Sequence, residues 1–183
     1  MKKKLLLVID MQNDFITGVL GNEACRAVVD PVVKRMERAR EEGWNILCTK
    51  DIHEENYLET GEGRRLPVPH CIRGSRGSEI IDEIKELSAG WENAKEVFLP
   101  ESPFEKPAFG STALSELLHA YDFDEIELIG VCTDICVLSN AIILRSDYPD
   151  MEVSVSADCC AGVTEQSHQT ALAAMAGCQI TIK

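Results

Sequence analysis

Short apolar runs alternate with longer amphipathic stretches from one end of this chain to the other, and that rhythm restricts the fold more than any single motif. Residues 5–10, 45–50, 96–99, 125–131, 152–157 and 179–182 read as six strands, each four to seven residues of mostly apolar character. Between them the apolar period lengthens to that of a helix, over residues 25–42, 78–88, 112–120, 134–146 and 165–176. In the first of these, Val28, Val29, Val32, Val33 and Met36 form one stripe, and Gly43 stands where a helix is expected to stop. Strand–helix alternation of this regularity implies parallel strands joined by right-handed crossovers, with helices on both faces of one sheet. The expectation is an α/β chain forming a single domain over residues 1–183, a length that one core can serve without disulfides or metal to hold it.

Composition narrows the function. Eighteen Lys and Arg against 31 Asp and Glu give a net charge of −13, which repels phosphate backbones and anionic lipids. Neither nucleic acid nor membrane is expected as a partner. The apolar run after Lys2–Lys4 is only five residues long, too short for a signal peptide or a membrane span, so a soluble, cytoplasmic protein is expected. Eight cysteines in such a setting read as small hydrophobes, Cys48, Cys159, Cys160 and Cys178 among them, and no Cys-x-x-Cys pair argues for zinc or redox use.

The residues just past each strand are the chemically interesting ones, because open α/β sheets bind ligands at the carboxyl ends of their strands. Asp10 follows the first strand, Asp51 and His53 the second, Lys106 the third, and Gly130-Val-Cys-Thr-Asp-Ile-Cys136 the fourth. Singly, an Asp in such a place is a turn residue, a Lys is solvated and a Cys is core. Together on one rim they make a nucleophile, a base and a cationic activator. Cys136 would lie in a helix's first turn, where the ammonium of Lys106 and the helix dipole would both lower a thiol pKa. Asp51 and His53, two apart on extended chain, face the same way, and His70 lies seventeen residues on, a set suited to zinc or a related divalent ion. A capping Asp and two surface histidines would account for the spacing equally well. Glu59 and Glu62, in the acidic loop between them, are possible further ligands.

Asp10-Met-Gln-Asn-Asp-Phe15, Asp51-x-His53, His70-Cys71-x-x-Gly74-x-x-Gly77, Lys106-Pro-Ala-Phe-Gly-Ser-Thr112 and Gly130-Val-Cys-Thr-Asp-Ile-Cys136-Val137 run in order along almost the whole chain. In these blocks the sequence resembles the isochorismatase-like cysteine hydrolases, the nicotinamidases in particular. The resemblance implies a three-layer αβα fold with a six-stranded parallel sheet in the order 3-2-1-4-5-6. It implies a triad of Asp10, Lys106 and Cys136, and a cis peptide at Val131–Cys132 that would aim the amide of Cys132, with that of Cys136, at an oxyanion. It also implies a divalent metal on Asp51, His53 and His70, zinc first, with manganese or iron as alternatives. The branch that hydrolyses isochorismate lacks this cysteine, so Cys136 favours attack on an amide carbonyl.

The implied substrate is a small primary carboxamide, nicotinamide first, and a homo-oligomer is expected. In one respect the sequence departs from the nicotinamidases. Where they carry a Trp three residues before the second metal histidine, this chain has Pro67. Phe15, Tyr57 and Phe109 are the candidates to supply the missing ring. The rival expectations are a sibling amidase for an N-carbamoyl or ureido substrate, and a non-catalytic member that binds a partner.

Overall fold

A computed structural model of the protein describes residues 2–89 and 103–183. Six parallel strands form one sheet: β1 (Lys4–Ile9), β2 (Asn45–Asp51), β3 (Phe104–Lys106), β4 (Glu125–Val131), β5 (Glu152–Ala161) and β6 (Thr181–Ile182). Their order across the sheet is β3-β2-β1-β4-β5-β6, as expected. Leu5–Val8 of β1 pair with Asn45–Cys48 on one side, and Lys4–Ile9 with Glu125–Gly130 on the other.

Because strand side chains alternate faces, β1 feeds two cores. Leu6 and Val8 pack with Ile46, Cys48 and Ile129 beneath α2 (Glu23–Ala27), α3 (Val29–Glu41) and α4 (Asp82–Ala89). Leu5, Leu7 and Ile9 pack with Leu128 beneath α5 (Thr112–His119), α6 (Leu138–Asp147) and α7 (Glu165–Gly177). A one-turn helix, α1 (Asn13–Ile16), follows β1 directly. Among the described residues, no helix is long and apolar enough to cross a membrane.

The strand expected at 96–99 lies outside the described residues. Three other elements differ from expectation. The third strand of the sheet is Phe104–Lys106, in a segment expected to be irregular, paired to Thr49–Asp51. A three-residue edge strand that is two-thirds charged leaves no apolar run to read. The helix expected at 25–42 is two, broken at Val28, since Pro31 has no N–H to bond to the Ala27 carbonyl and carry α2 onward. The helix expected from 134 begins as a π turn over Thr133–Val137 and becomes α-helical only at Leu138.

Candidate active site

The strand order reverses between β1 and β4, so the chain segments leaving those two neighbours diverge and open a crevice at their carboxyl ends. Asp10 and the Cys132–Cys136 segment stand on either side of it. Asp10 adopts φ +49, a left-handed turn that carries its side chain out of the strand direction and into the crevice. Gly130 permits β4 to lie against β1 here. Its φ is +114, and a Cβ at this position would strike the carbonyl of Ile9. The next peptide, Val131–Cys132, is cis.

Asp10, Lys106 and Cys136 converge. Lys106 Nζ lies 2.6 Å from Asp10 Oδ2 and 3.7 Å from Cys136 Sγ, and donates to the Ala108 carbonyl at 3.1 Å. All three residues are buried. Thr49 Oγ1 fixes the other Asp10 oxygen at 2.6 Å. Burial pushes the Asp10 carboxyl above the usual carboxylate range against the pull of Lys106. Burial would also discharge Lys106, but the carboxylates of Asp10 and Asp51 and the Cys136 sulfur hold it firmly protonated.

The Cys136 thiol is not lowered as expected. Burial and the neighbouring Asp10 carboxylate push it well up, outweighing Lys106. The sequence shows that a cation and a helix start are near, but not how completely the sulfur is desolvated. The neighbouring Cys25 thiol and burial hold the Cys132 thiol well above its ordinary value.

Beside this trio, Asp51, His53, Glu62 and His70 bring one donor atom each to within 4.8 Å of one another. His53 Nε2 and His70 Nε2 lie 3.1 and 3.6 Å from Asp51 Oδ2, and 3.5 and 3.8 Å from Glu62 Oε1. His70 Nδ1 is held by the Val68 carbonyl at 2.8 Å, which points Nε2 at the cluster. Of the two optional ligands, Glu62 joins the cluster, whereas Glu59 is exposed and outside it. Burial would raise the Asp51 carboxyl, but hydrogen bonds with the two imidazoles and the charge of Lys106 hold it well below the usual range. Asp51 Oδ1 is buried without a hydrogen-bond partner, 3.7 Å from Lys106 Nζ. Two imidazole nitrogens and two carboxylate oxygens within 4.8 Å of one another are a donor set that fits a divalent cation.

A cavity of about 200 Å³ opens onto both groups, reached by Cys136 and Cys132 on one side and Asp51, Glu62 and His70 on the other. Phe15 and Phe109 line it, with Phe15 edge-on to His70 at 5.6 Å between centroids. Tyr57 is not among the lining residues. It is buried against His53 and His70, 4.7 and 5.0 Å from their ring centroids, and donates its hydroxyl to the Leu66 carbonyl. The sequence does not single out Leu20, Asn22, Leu66, Ile135 or Val163, which complete the wall. They are ordinary loop and helix residues, and only the crevice's shape gathers them.

The model of the isochorismatase domain matches residues 4–182. The chain belongs to the isochorismatase family. An isochorismatase family protein of Bacillus subtilis, PncA, is 31% identical over 143 residues, covering 76% of this chain and 77% of that one. The nicotinamidase of Saccharomyces cerevisiae is 25% identical over 173 residues, covering 76% and 80%. The crystal structure of the B. subtilis nicotinamidase/pyrazinamidase PncA superposes with a TM-score of 0.85 at 27% identity, over 98% of each chain. This isochorismatase family member falls in the nicotinamidase-like branch and is an amidohydrolase acting on C–N bonds.

Proposed function

We propose that this protein hydrolyses a small neutral primary carboxamide, nicotinamide first among candidates, to the carboxylic acid and ammonia through a thioester on Cys136. The observation that carries this reading is the placement of Lys106 Nζ between a buried carboxylate at 2.6 Å and the thiol of Cys136 at 3.7 Å, Cys136 itself lining a cavity of about 200 Å³. That volume is below the range for drug-sized ligands and suits a single small ring.

The residues divide the work as follows. Asp10, whose proton affinity burial has raised, takes the thiol proton as Sγ attacks the carbonyl carbon, and Lys106 stabilises both developing charges. The backbone N–H groups of Cys132 and Cys136 hold the oxyanion. Asp10 then gives its proton to the departing nitrogen, the C–N bond breaks and ammonia leaves. Water adds to the thioester with Asp10 again as base, releasing the acid and restoring the thiol. Asp51, His53, Glu62 and His70 would hold a divalent metal, zinc, manganese or iron, which supplies a Lewis-acid site to orient the substrate or a bound water.

The cavity also separates this reading from its closest rival. The N-carbamoyl amino acids carry a carboxylate, and among the described residues no Lys or Arg lines the cavity. The acidic side chains there are Asp51 and Glu62. With Asp51 and Glu62 engaged by the metal, the walls offer no cationic side chain to pair with that carboxylate, which favours a neutral amide. The non-catalytic reading would leave the buried trio without a purpose, since a buried ion pair is a costly thing to build.

Ammonia release from nicotinamide, benzamide, an N-carbamoyl amino acid and a simple ureide, with and without chelator, tests the proposal. Turnover of the neutral aromatic amides supports it. Preference for the N-carbamoyl acid, or no turnover of any amide by metal-loaded protein, rejects it.

A further inference from the structure

Alternate residues of the segment after β1 reach three different parts of the site. Asp10 pairs with Lys106. Gln12, fully buried, accepts from the Asp51 N–H through Oε1 at 2.7 Å and donates from Nε2 to the Asp51 carbonyl at 2.8 Å and to the Ser78 carbonyl at 2.9 Å. Asp14 accepts from the Cys71 N–H at 2.8 Å. Asp51 is a member of the donor cluster, and Cys71 directly follows His70, another member.

Each contact replaces something the backbone cannot supply. β2 ends at Asp51, and the side-chain amide of Gln12 grips both backbone polar groups of that last residue as a neighbouring strand would. Cys71 stands at φ +47, an unusual conformation for a side chain with a Cβ, and a carboxylate on its N–H holds that turn in place. His53 is tied to the same turn, since its N–H donates to the Cys71 carbonyl at 3.0 Å. Room for Asp14 is made by Gly77, where any Cβ would strike the Asp14 carboxylate.

We infer that Gln12 and Asp14 are positioning residues for the metal site. Gln12 fixes the peptide of Asp51, Asp14 fixes the turn that carries His70 and braces His53, and a single segment thus aligns the donor cluster with the catalytic Asp10. The inference rests on the reading of Asp51, His53, Glu62 and His70 as a metal site. Supports at one remove from metal ligands typically change affinity on the order of ten- to a hundredfold.

Calorimetric titration with zinc and with manganese tests this on full-length Gln12→Glu, Asp14→Ala and Asp14→Asn, with Glu127→Gln as a control that loosens a buried ion pair far from the cluster. Gln12→Glu keeps the acceptor for the Asp51 N–H and loses both donated bonds. Asp14→Asn keeps an acceptor for Cys71, and Asp14→Ala removes it. The expected pattern is a dissociation constant at least about tenfold weaker in Gln12→Glu and Asp14→Ala, near that of wild type in Asp14→Asn, and unchanged in Glu127→Gln whatever its melting temperature. If Gln12→Glu does not fold, the two Asp14 variants decide. Wild-type affinity in Asp14→Ala, or equal loss in Asp14→Asn and Glu127→Gln, overturns the inference while leaving the metal reading intact. A wild-type chain that takes up neither ion overturns the metal reading, and the positioning role with it.

Discussion

Lys106 and Asp10 form an ion pair of 2.6 Å with both side chains wholly withdrawn from solvent. Desolvating two charges is repaid only when each has the other, so removing one partner exposes the full cost of burying the survivor. Lys106→Met should lower stability by about 3–5 kcal/mol and abolish turnover. The double variant Lys106→Met/Asp10→Asn should recover much of that stability and none of the activity, because the stranded carboxylate is gone. Urea denaturation of the four chains at neutral pH measures the coupling. Simple additivity of the two substitutions would show that the pair contributes nothing.

Cys136→Ala should lower kcat/KM by roughly four orders of magnitude or more, as deletion of a covalent nucleophile does, at a modest cost in stability. The other cysteines give the contrast. Cys48 is buried within the sheet and its thiol is pushed up to about 12, so Cys48→Ala should cost about 1 kcal/mol or more with turnover intact. Cys178 is exposed rather than the core residue its neighbours suggest, and Cys178→Ala should stay within about 0.5 kcal/mol of wild type. Steady-state kinetics with thermal melts on the three variants separates nucleophile from packing. Retained turnover in Cys136→Ala would remove the assignment.

Much of the fold and of the site is legible in the sequence, for reasons particular residues make plain. Leu5–Ile9 and Glu125–Val131 announce themselves as buried strands, and their apolar pattern alone puts Asp10 and the segment around Cys136 at the same rim. Phe104–Lys106 does not announce itself, because an edge strand of three residues has no period to detect. Tyr57 reads as a substrate contact, and only the folded loop shows it under His53 and His70 instead. The state of Cys136 is a property of how many atoms enclose it, which a motif does not encode. Gln12 lies in view within Asp10-Met-Gln-Asn-Asp-Phe15, but a glutamine's partners are set by tertiary structure alone.

The contact between β1 and β4 gives a third prediction. Gly130→Ala places a Cβ against the Ile9 carbonyl at φ +114, on the two strands that carry Asp10 and Cys136. It should cost at least about 3 kcal/mol and reduce activity even in the fraction that folds. Gly43→Ala has a similar backbone demand, φ +74, but open space around the added methyl. It should cost only about 1 kcal/mol and leave kinetics unchanged. Equal effects in the two variants would mean that strain, and not the close approach of the strands, governs position 130.

Acid sensitivity should be traceable to Glu127, which does not line the candidate active-site cavity. Burial alone would raise its carboxyl, but Arg35 Nε at 2.6 Å, Lys183 Nζ at 2.8 Å and Ser156 Oγ at 2.9 Å hold it down at about 2, against an ordinary value of 4.5. In the unfolded chain Glu127 takes up a proton as pH falls through 4.5, while in the folded chain it resists until about 2. The stability it contributes is therefore fully present above the unfolded value and lost progressively as pH falls between the two. The difference is worth on the order of 3 kcal/mol. Glu127→Gln cannot titrate and leaves Arg35 and Lys183 without their shared anion, so it should be less stable than wild type at pH 7. That gap should narrow steadily below pH 4.5 as Glu127 of the unfolded wild-type chain takes up its proton. Urea denaturation of both proteins from neutral pH down to the limit of solubility follows it directly. A gap that stays constant with pH would mean that the carboxylate's charge does not contribute, and that the loss in Glu127→Gln is one of hydrogen bonding and packing.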